Sequence, residues 1–188
     1  MNAPVELRRR KLSIEQFQRM GEAGILREDE RVELIRGELI EMAPIGSRHM
    51  GLVTRLMRML VHAVANDAVV STQNPVVLPP DTEPQPDITV LKPRADDYQE
   101  SLPTATDVLL MIEVADTSLR YDRDVKLPIY AEYGIPELWL FDVQARAVSI
   151  YRDPAVQGYQ RQLTPGKNEK ISPARLPHVQ IDLAEVWR

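Results

Sequence analysis

Three residues far apart in the chain have the types that phosphate chemistry requires. Glu113 ends the apolar run Leu109-Leu110-Met111-Ile112, and Asp87 follows Pro86 and precedes the apolar run Ile88 to Leu91. Lys126 lies in a segment of helical spacing that leads to a further apolar run, Leu138 to Phe141. Two carboxylates fixed at strands are natural oxygen ligands for a hard divalent cation, Mg²⁺ or Mn²⁺. An ammonium group beside them can position a water or offset developing negative charge. Such a set is equipped to bind a cation and hydrolyse a phosphodiester, provided the strands aim both acids at one place.

Each residue also has a plainer reading. Asp87 after a proline suits an ordinary strand start. Glu113 at the end of an apolar run is costly to bury unpaired, so it needs a cation or donors, and a salt bridge to Lys126 would serve. Lys126 alone reads as a solvated helix lysine.

The elements that must position these groups follow from periodicity. Ser13 to Gly24 reads as a short helix, with Ser13 and Gln16 spaced as a capping box. Arg31 to Ala43 reads as a β-hairpin turning at Arg36-Gly37. Arg48 to Asn66 is the clearest helix, with Leu52, Leu56, Met59, Leu60 and Ala63 on one face. Val69-Val70 and Val76 to Leu78 are rich in strand formers, and Pro79, Pro80, Pro84 and Pro86 predict a stiff extended connection. Strands are expected at Asp87 to Leu91, at Asp107 to Val114 with both faces covered, and at Glu137 to Asp142. Between the last two, helical spacing runs through Ile129 and Tyr133 to Gly134, and Pro128 requires a helix start or a bend close to it. Asp122, Lys126 and Tyr130 are spaced by four and share a face if that segment is helical.

Val148 to Arg152, Gly158 to Leu163 and Glu169 to Ile171 read as antiparallel strands at the sheet edge, and Ile181 to Trp187 as a terminal helical turn. The order predicts one α/β (α+β) domain with a mixed central sheet flanked by helices. Residues 1–11 are expected to form a basic mobile tail, and residues 12–188 the domain.

Composition narrows the functional classes. The chain has 188 residues, 44% hydrophobic and 27% charged, enough for one full core. A net charge of −5 gives no overall field that would gather polyanions, so a nucleic-acid coat protein is not expected and any basic patch must be local. There are no cysteines, which removes disulfides and thiolate zinc sites and suits a reducing cytoplasm. With three histidines, a His-rich metal site is not expected. The basic N-terminus lacks the apolar region of a secretory signal, and no run approaches the roughly 20 apolar residues of a membrane span.

Four stretches taken together, Val32 to Pro44 (VELIRGELIEMAP), Pro84 to Leu91 (PQPDITVL), Ile112 to Ser118 (IEVADTS) and Tyr121 to Asp142 (YDRDVKLPIYAEYGIPELWLFD), resemble the Uma2 family of the PD-(D/E)XK nuclease superfamily. The resemblance runs from about Leu12 to Tyr151. It implies a restriction-endonuclease-like core and a Mg²⁺- or Mn²⁺-dependent endonuclease acting on DNA. It implies that Asp87 and Glu113 are metal ligands, with the backbone carbonyl of Val114 as a further ligand. The superfamily lysine position holds Ala115, and the resemblance implies that the amine is relocated to Lys126. Glu33 matches the family's upstream acid, Asp122 and Tyr130 its Asp and Tyr around the lysine, and His49 a histidine opening the long helix. Read from the residues alone, Glu33 equally suits a solvent-facing strand acid, His49 polar helix surface, and Tyr130 a packing residue with a satisfied hydroxyl.

The competing functional reading is a nuclease-fold module that binds nucleic acid or a protein partner without cutting, in keeping with the acidic charge. A serine hydrolase using Ser47 and His49 lacks a G-x-S-x-G elbow, and no phosphate-binding glycine motif occurs. Edge strands near the C-terminus offer a surface for a homodimer. Target preference is expected from loops such as Lys92 to Thr104.

Overall fold

The computed structural model describes residues 9–27 and 29–188. Most of the expected N-terminal tail, residues 1–8, lies outside the described residues, while Arg9 and Arg10 are exposed. Among the described residues no helix is long and apolar enough to cross a membrane.

The first helix, α1 (Ile14–Glu22), begins at the Ser13–Gln16 capping box, whose two reciprocal hydrogen bonds are both formed. The hairpin β1 (Val32–Ile35) and β2 (Glu38–Glu41) turns at Arg36 and Gly37, both with positive φ (49° and 78°). Two such residues match the twist of a two-residue hairpin. Gly37 is also required sterically, since a Cβ there would lie 2.6 Å from Lys11 Cβ. The hairpin stands outside the main sheet and is joined to the segment before Asp87 by paired backbone bonds between Leu34 and Glu83.

The long helix α2 (Ser47–Val64) buries Leu52, Val53, Leu56, Leu60 and Val64, as its spacing predicts. The main sheet has six strands in the order β3 (Val69–Thr72), β4 (Ile88–Leu91), β5 (Val108–Ala115), β6 (Glu137–Asp142), β7 (Ala147–Ala155) and β8 (Gly158–Leu163). All neighbours are antiparallel except β5 and β6. That parallel pair requires a crossover, supplied by α3 (Leu119–Tyr121), a π-helical turn at Asp122–Lys126 and α4 (Leu127–Glu132).

Every residue of β5 is buried, which explains its unbroken apolar run. Alternation divides its side chains. Leu110, Ile112 and Val114 join the core under α2, together with Trp139 and Phe141, while Met111 and Ala115 join the core under α4, with Leu138 and Leu140. Glu113 therefore belongs to the α4 face.

Several expectations are corrected. Val76 to Leu78 is no strand of the sheet: Val77 and Leu78 make only isolated bridges, and Leu78 pairs with Thr82 around a tight turn containing Pro79-Pro80. Prolines have no N–H for a ladder, so the chain reverses there instead of extending. Glu169 to Ile171 is not at the sheet edge. Lys170–Ile171 (β9) pairs with Ile181–Asp182 (β10) in a separate ribbon. Only Leu183–Val186 (α5) is helical at the C-terminus, and Trp187 is buried against Phe141.

The segment around Lys126 starts helically at Leu119, earlier than its spacing suggests, and Pro128 falls in the first turn of α4. A proline cannot donate to the carbonyl four residues back, so a regular α-helix through Asp124 is denied one bond. The loop at Lys92 to Thr104 joins the end of β4 to the start of β5, at the sheet end opposite Asp87 and Glu113. It therefore does not border the site.

Candidate active site

Asp87, Glu113, Lys126, Glu33, Asp122 and His49 line one cavity of about 400 Å³, although they come from five separate elements and linkers. Tyr130 stands behind Glu113, fully buried in the α4 core.

Asp87 precedes β4, where Pro86 ends the strand. Its Oδ2 accepts the Val114 backbone N–H at 2.8 Å, and its Oδ1 lies 2.9 Å from His49 Nε2 in the first turn of α2. Because the Val114 N–H points toward β4, its carbonyl points the same way. Continuing the Ile88–Ile112 register by two residues sets Pro86 opposite Val114. Pro86 has no N–H, so the Val114 carbonyl has no ladder donor there, and Val114 lines the cavity.

Glu113 is 3% exposed and Lys126 4%. Glu113 Oε1 accepts from Tyr130 Oη at 2.6 Å and from Lys126 Nζ at 3.3 Å. Lys126 Nζ also lies 3.1 Å from Glu33 Oε2. Glu33 is 1% exposed, which excludes the solvent-facing strand acid. Its Oε1 accepts from Tyr121 Oη at 3.0 Å and its Oε2 from the Gln85 N–H at 3.2 Å. The solvated reading of Lys126 also fails, since two carboxylates share its ammonium. Asp122 accepts from the Ser118 hydroxyl.

Burial dominates the electrostatics. It pushes Glu113 up to about 8, against the pull of Lys126 and with the push of the Asp122 and Asp87 charges. Burial likewise raises Asp122, partly offset by Lys126 and Ser118. For Lys126, burial acts to lower the value, but Glu113, Glu33 and Asp122 outweigh it and hold the ammonium above its usual range. Burial, then Glu113, keeps the Tyr130 hydroxyl well above the usual phenol range, so it stays a donor.

A divalent cation fits this donor set. Among the described residues, no three Asp, Glu or His side chains gather into a cage. Mg²⁺, however, is commonly held by one or two carboxylates with waters and substrate phosphate, not by an all-protein cage. Asp87, Glu113 and the undonated Val114 carbonyl offer such a partial set on the cavity wall.

Tyr121 and Gln85 complete the site and were not anticipated as site residues. Tyr121 stands five before Lys126, about 140° away around an α-helix, so no helical pattern joins them. The π-helical turn, with its wider i→i+5 bond from the Leu127 N–H to the Asp122 carbonyl, brings the Tyr121 ring to 5.7 Å from Lys126 Nζ. Gln85 acts through its main chain, which no side-chain pattern reveals.

No curated protein matches the chain significantly. Among solved structures, the chain is similar to the crystal structure of "a putative nuclease belonging to DUF820" from Anabaena variabilis, with a TM-score of 0.71 and 15% identity over 94% of this chain and 97% of that one. At that identity the likeness is one of fold: a mixed six-stranded sheet flanked by helices. The sequence profile of the Uma2 family, whose description reads "Putative restriction endonuclease", matches residues 14–184. With both hairpin and crossover inside that span, the chain belongs to the Uma2 family.

Proposed function

We propose that the protein is a metal-dependent nuclease acting on DNA, with Mg²⁺ or Mn²⁺ held by Asp87, Glu113 and the Val114 carbonyl. The observation that carries this reading is the meeting of Lys126 with Glu113, at 3.3 Å, on the cavity that Asp87 also lines. When bound, the cation supplies charge neutralisation at the phosphate and a more acidic water. The chain's own residues do the rest. His49 and the Val114 N–H fix the Asp87 carboxylate. Tyr130 fixes Glu113. Lys126, steadied by Glu33 and Tyr121, presents a permanent positive charge to the attacking water and to the oxygens that gain negative charge.

Purified protein incubated with DNA should cut it in Mg²⁺ or Mn²⁺ and not in EDTA. Asp87→Ala prepared in parallel should be inactive, and equal cutting by both proteins would assign the activity to a contaminant.

Metal binding should depend on pH. Glu113 must lose its proton to act as a ligand, and its value stands at about 8 in the metal-free fold. The sign is fixed by the raised value: the protonated acid stabilises the metal-free fold below the ordinary glutamate range, and that contribution is lost as pH rises toward 8. Mn²⁺ affinity should therefore climb over the same window, with a proton released on binding. Calorimetry in two buffers of different ionisation heat reads that proton directly, and an affinity flat from acid to neutral pH would contradict the assignment of Glu113.

A non-cutting module draws on a different observation: both oxygens of Asp87 are already engaged, by His49 and by Val114. Salt-sensitive DNA binding without any Mn²⁺ binding would favour it.

A further inference from the structure

Part of the cavity lining is apolar. Ile40, Met42 and Ile45, from β2 and the link to α2, line the same cavity as Asp87 and Glu113. Ile45 keeps 40% of its surface exposed, and Ile40 and Met42 are half-buried. Apolar groups left facing a polar cavity suit a ligand with a flat apolar face beside its phosphate, and a nucleobase has one.

Charge leaves few contacts for phosphates. Among the described residues, Glu33, Glu41, Asp87, Glu113, Asp116 and Asp122 line the cavity against Arg31, Lys126 and His49, the last already paired with Asp87. Lys126 is held by Glu113 and Glu33, and Arg31 Nη1 turns to the Ala43 carbonyl at 3.3 Å. A protein that grips duplex DNA neutralises a row of phosphates with Lys and Arg, and among the described residues this cavity has no such row. The carboxylates are also recessed, so the scissile phosphate must enter the cavity. A single strand bends inward readily, whereas duplex DNA, with a persistence length of about 50 nm, stays stiff over this scale.

We propose that the cavity takes an unpaired nucleic-acid strand, with the base next to the scissile phosphate packed against Ile40, Met42 and Ile45. This rests on the nuclease reading above and names its substrate class. In a duplex the base faces are stacked on their neighbours and unavailable. A base that packs on this wall must be unpaired, as in a single strand, a bubble or a frayed end. Recognition is then carried by the base face and the cation, not by phosphate contacts.

Fluorescence anisotropy in Ca²⁺ tests this with three labelled probes: a short DNA single strand, the same sequence in a blunt duplex, and a duplex carrying an unpaired bubble. The single strand and the bubble should bind at least about tenfold more tightly than the duplex, the scale of one base face buried on aliphatic side chains. The logarithmic salt slope should be shallow, corresponding to about one or two phosphates. Ile45→Asp should reduce single-strand binding to the duplex level, and Ile45→Leu should keep it. Ile45 lies on the surface, so neither variant removes core packing.

Equal binding of duplex and single strand, a slope equivalent to about six or more phosphates, or an unaffected Ile45→Asp would each overturn the inference. Cleavage of the same probes in Mg²⁺ separates it from the nuclease reading. Equal cutting of duplex and single strand overturns the inference alone. Preferential single-strand binding without any cutting supports the inference and overturns the nuclease reading.

Discussion

Lys126→Met should lower the stability of the metal-free protein by about 3–5 kcal/mol and reduce DNA hydrolysis by a factor of about 10²–10³. Both effects have one origin. The ammonium is shared by Glu113 at 3.3 Å and Glu33 at 3.1 Å, in a site where all three side chains are almost fully buried. Removing it strands the buried Glu33 carboxylate without its cation and, once pH passes the Glu113 value of about 8, the Glu113 carboxylate as well, and a stranded charge costs more than the intact pair contributes.

The stability loss has a signature. Mn²⁺ should restore more stability to the variant than it adds to the wild type, because a cation bound at Asp87 and Glu113 supplies part of the missing charge. A second substitution, Glu33→Gln, should soften the loss, because it removes the stranded carboxylate. Denaturant titrations with and without Mn²⁺ measure both. A loss below about 1 kcal/mol, or identical Mn²⁺ responses in the two proteins, would show that the lysine is not what holds the acids together.

Glu137→Ala should cost a similar amount, about 3–5 kcal/mol, while leaving the site intact. Glu137 begins β6 and is fully buried. Its Oε1 accepts from Trp139 Nε1 at 2.6 Å and from Arg152 Nη2 at 2.8 Å, and its Oε2 accepts the Ala174 N–H at 2.6 Å. Arg152 in turn reaches the Ser172 carbonyl at 2.7 Å. These bonds fasten the segment that joins the two strands of the C-terminal ribbon to β6 and β7. Without the carboxylate, Arg152 loses its counter-charge, and a buried indole N–H and a backbone N–H lose their acceptor.

Glu137 shares the α2 face with Trp139, whereas Glu113 opens on the α4 face. Mn²⁺ affinity and turnover per folded molecule should therefore stay at the wild-type level under conditions where the variant is folded. A variant that folds normally yet loses metal binding would mean that the two faces are coupled.

These two acids illustrate what the sequence made legible. Glu113 could be singled out because an acid closing a run of buried strand residues is expensive unless compensated. The element types followed from periodicity, since α2 and β5 carry unbroken helical and buried-strand patterns. Glu137 sits at the edge of an apolar run as well, but its partners Arg152 and Ala174 lie 15 and 37 residues away, with no local spacing to announce them.

The crossover was read only in part. Asp122, Lys126 and Tyr130 fit a helical spacing of four, yet the π-helical turn that also brings in Tyr121 comes from Pro128 and the packing around it. Glu169 to Ile171 suits the sheet edge and Ile181 to Trp187 a helical turn by pattern, yet β9 and β10 pair with each other, because short strands carry too few residues for alternation to specify a partner. The inward turn of Glu33 likewise depends on a hairpin that pairs with the Glu83 segment, a long-range contact invisible to local pattern.

The proline before Asp87 sets two uses of one oxygen against each other. A residue with an amide hydrogen at position 86 would complete the antiparallel ladder at the Val114 carbonyl and strengthen the end of the sheet by the ordinary value of a hydrogen bond, about 0.5–1.5 kcal/mol. The same bond would take one of the two lone pairs of that oxygen and make it a poorer ligand. Rigidity at this strand end and an acceptor free for an incoming ion thus compete for a single atom, and proline favours the second.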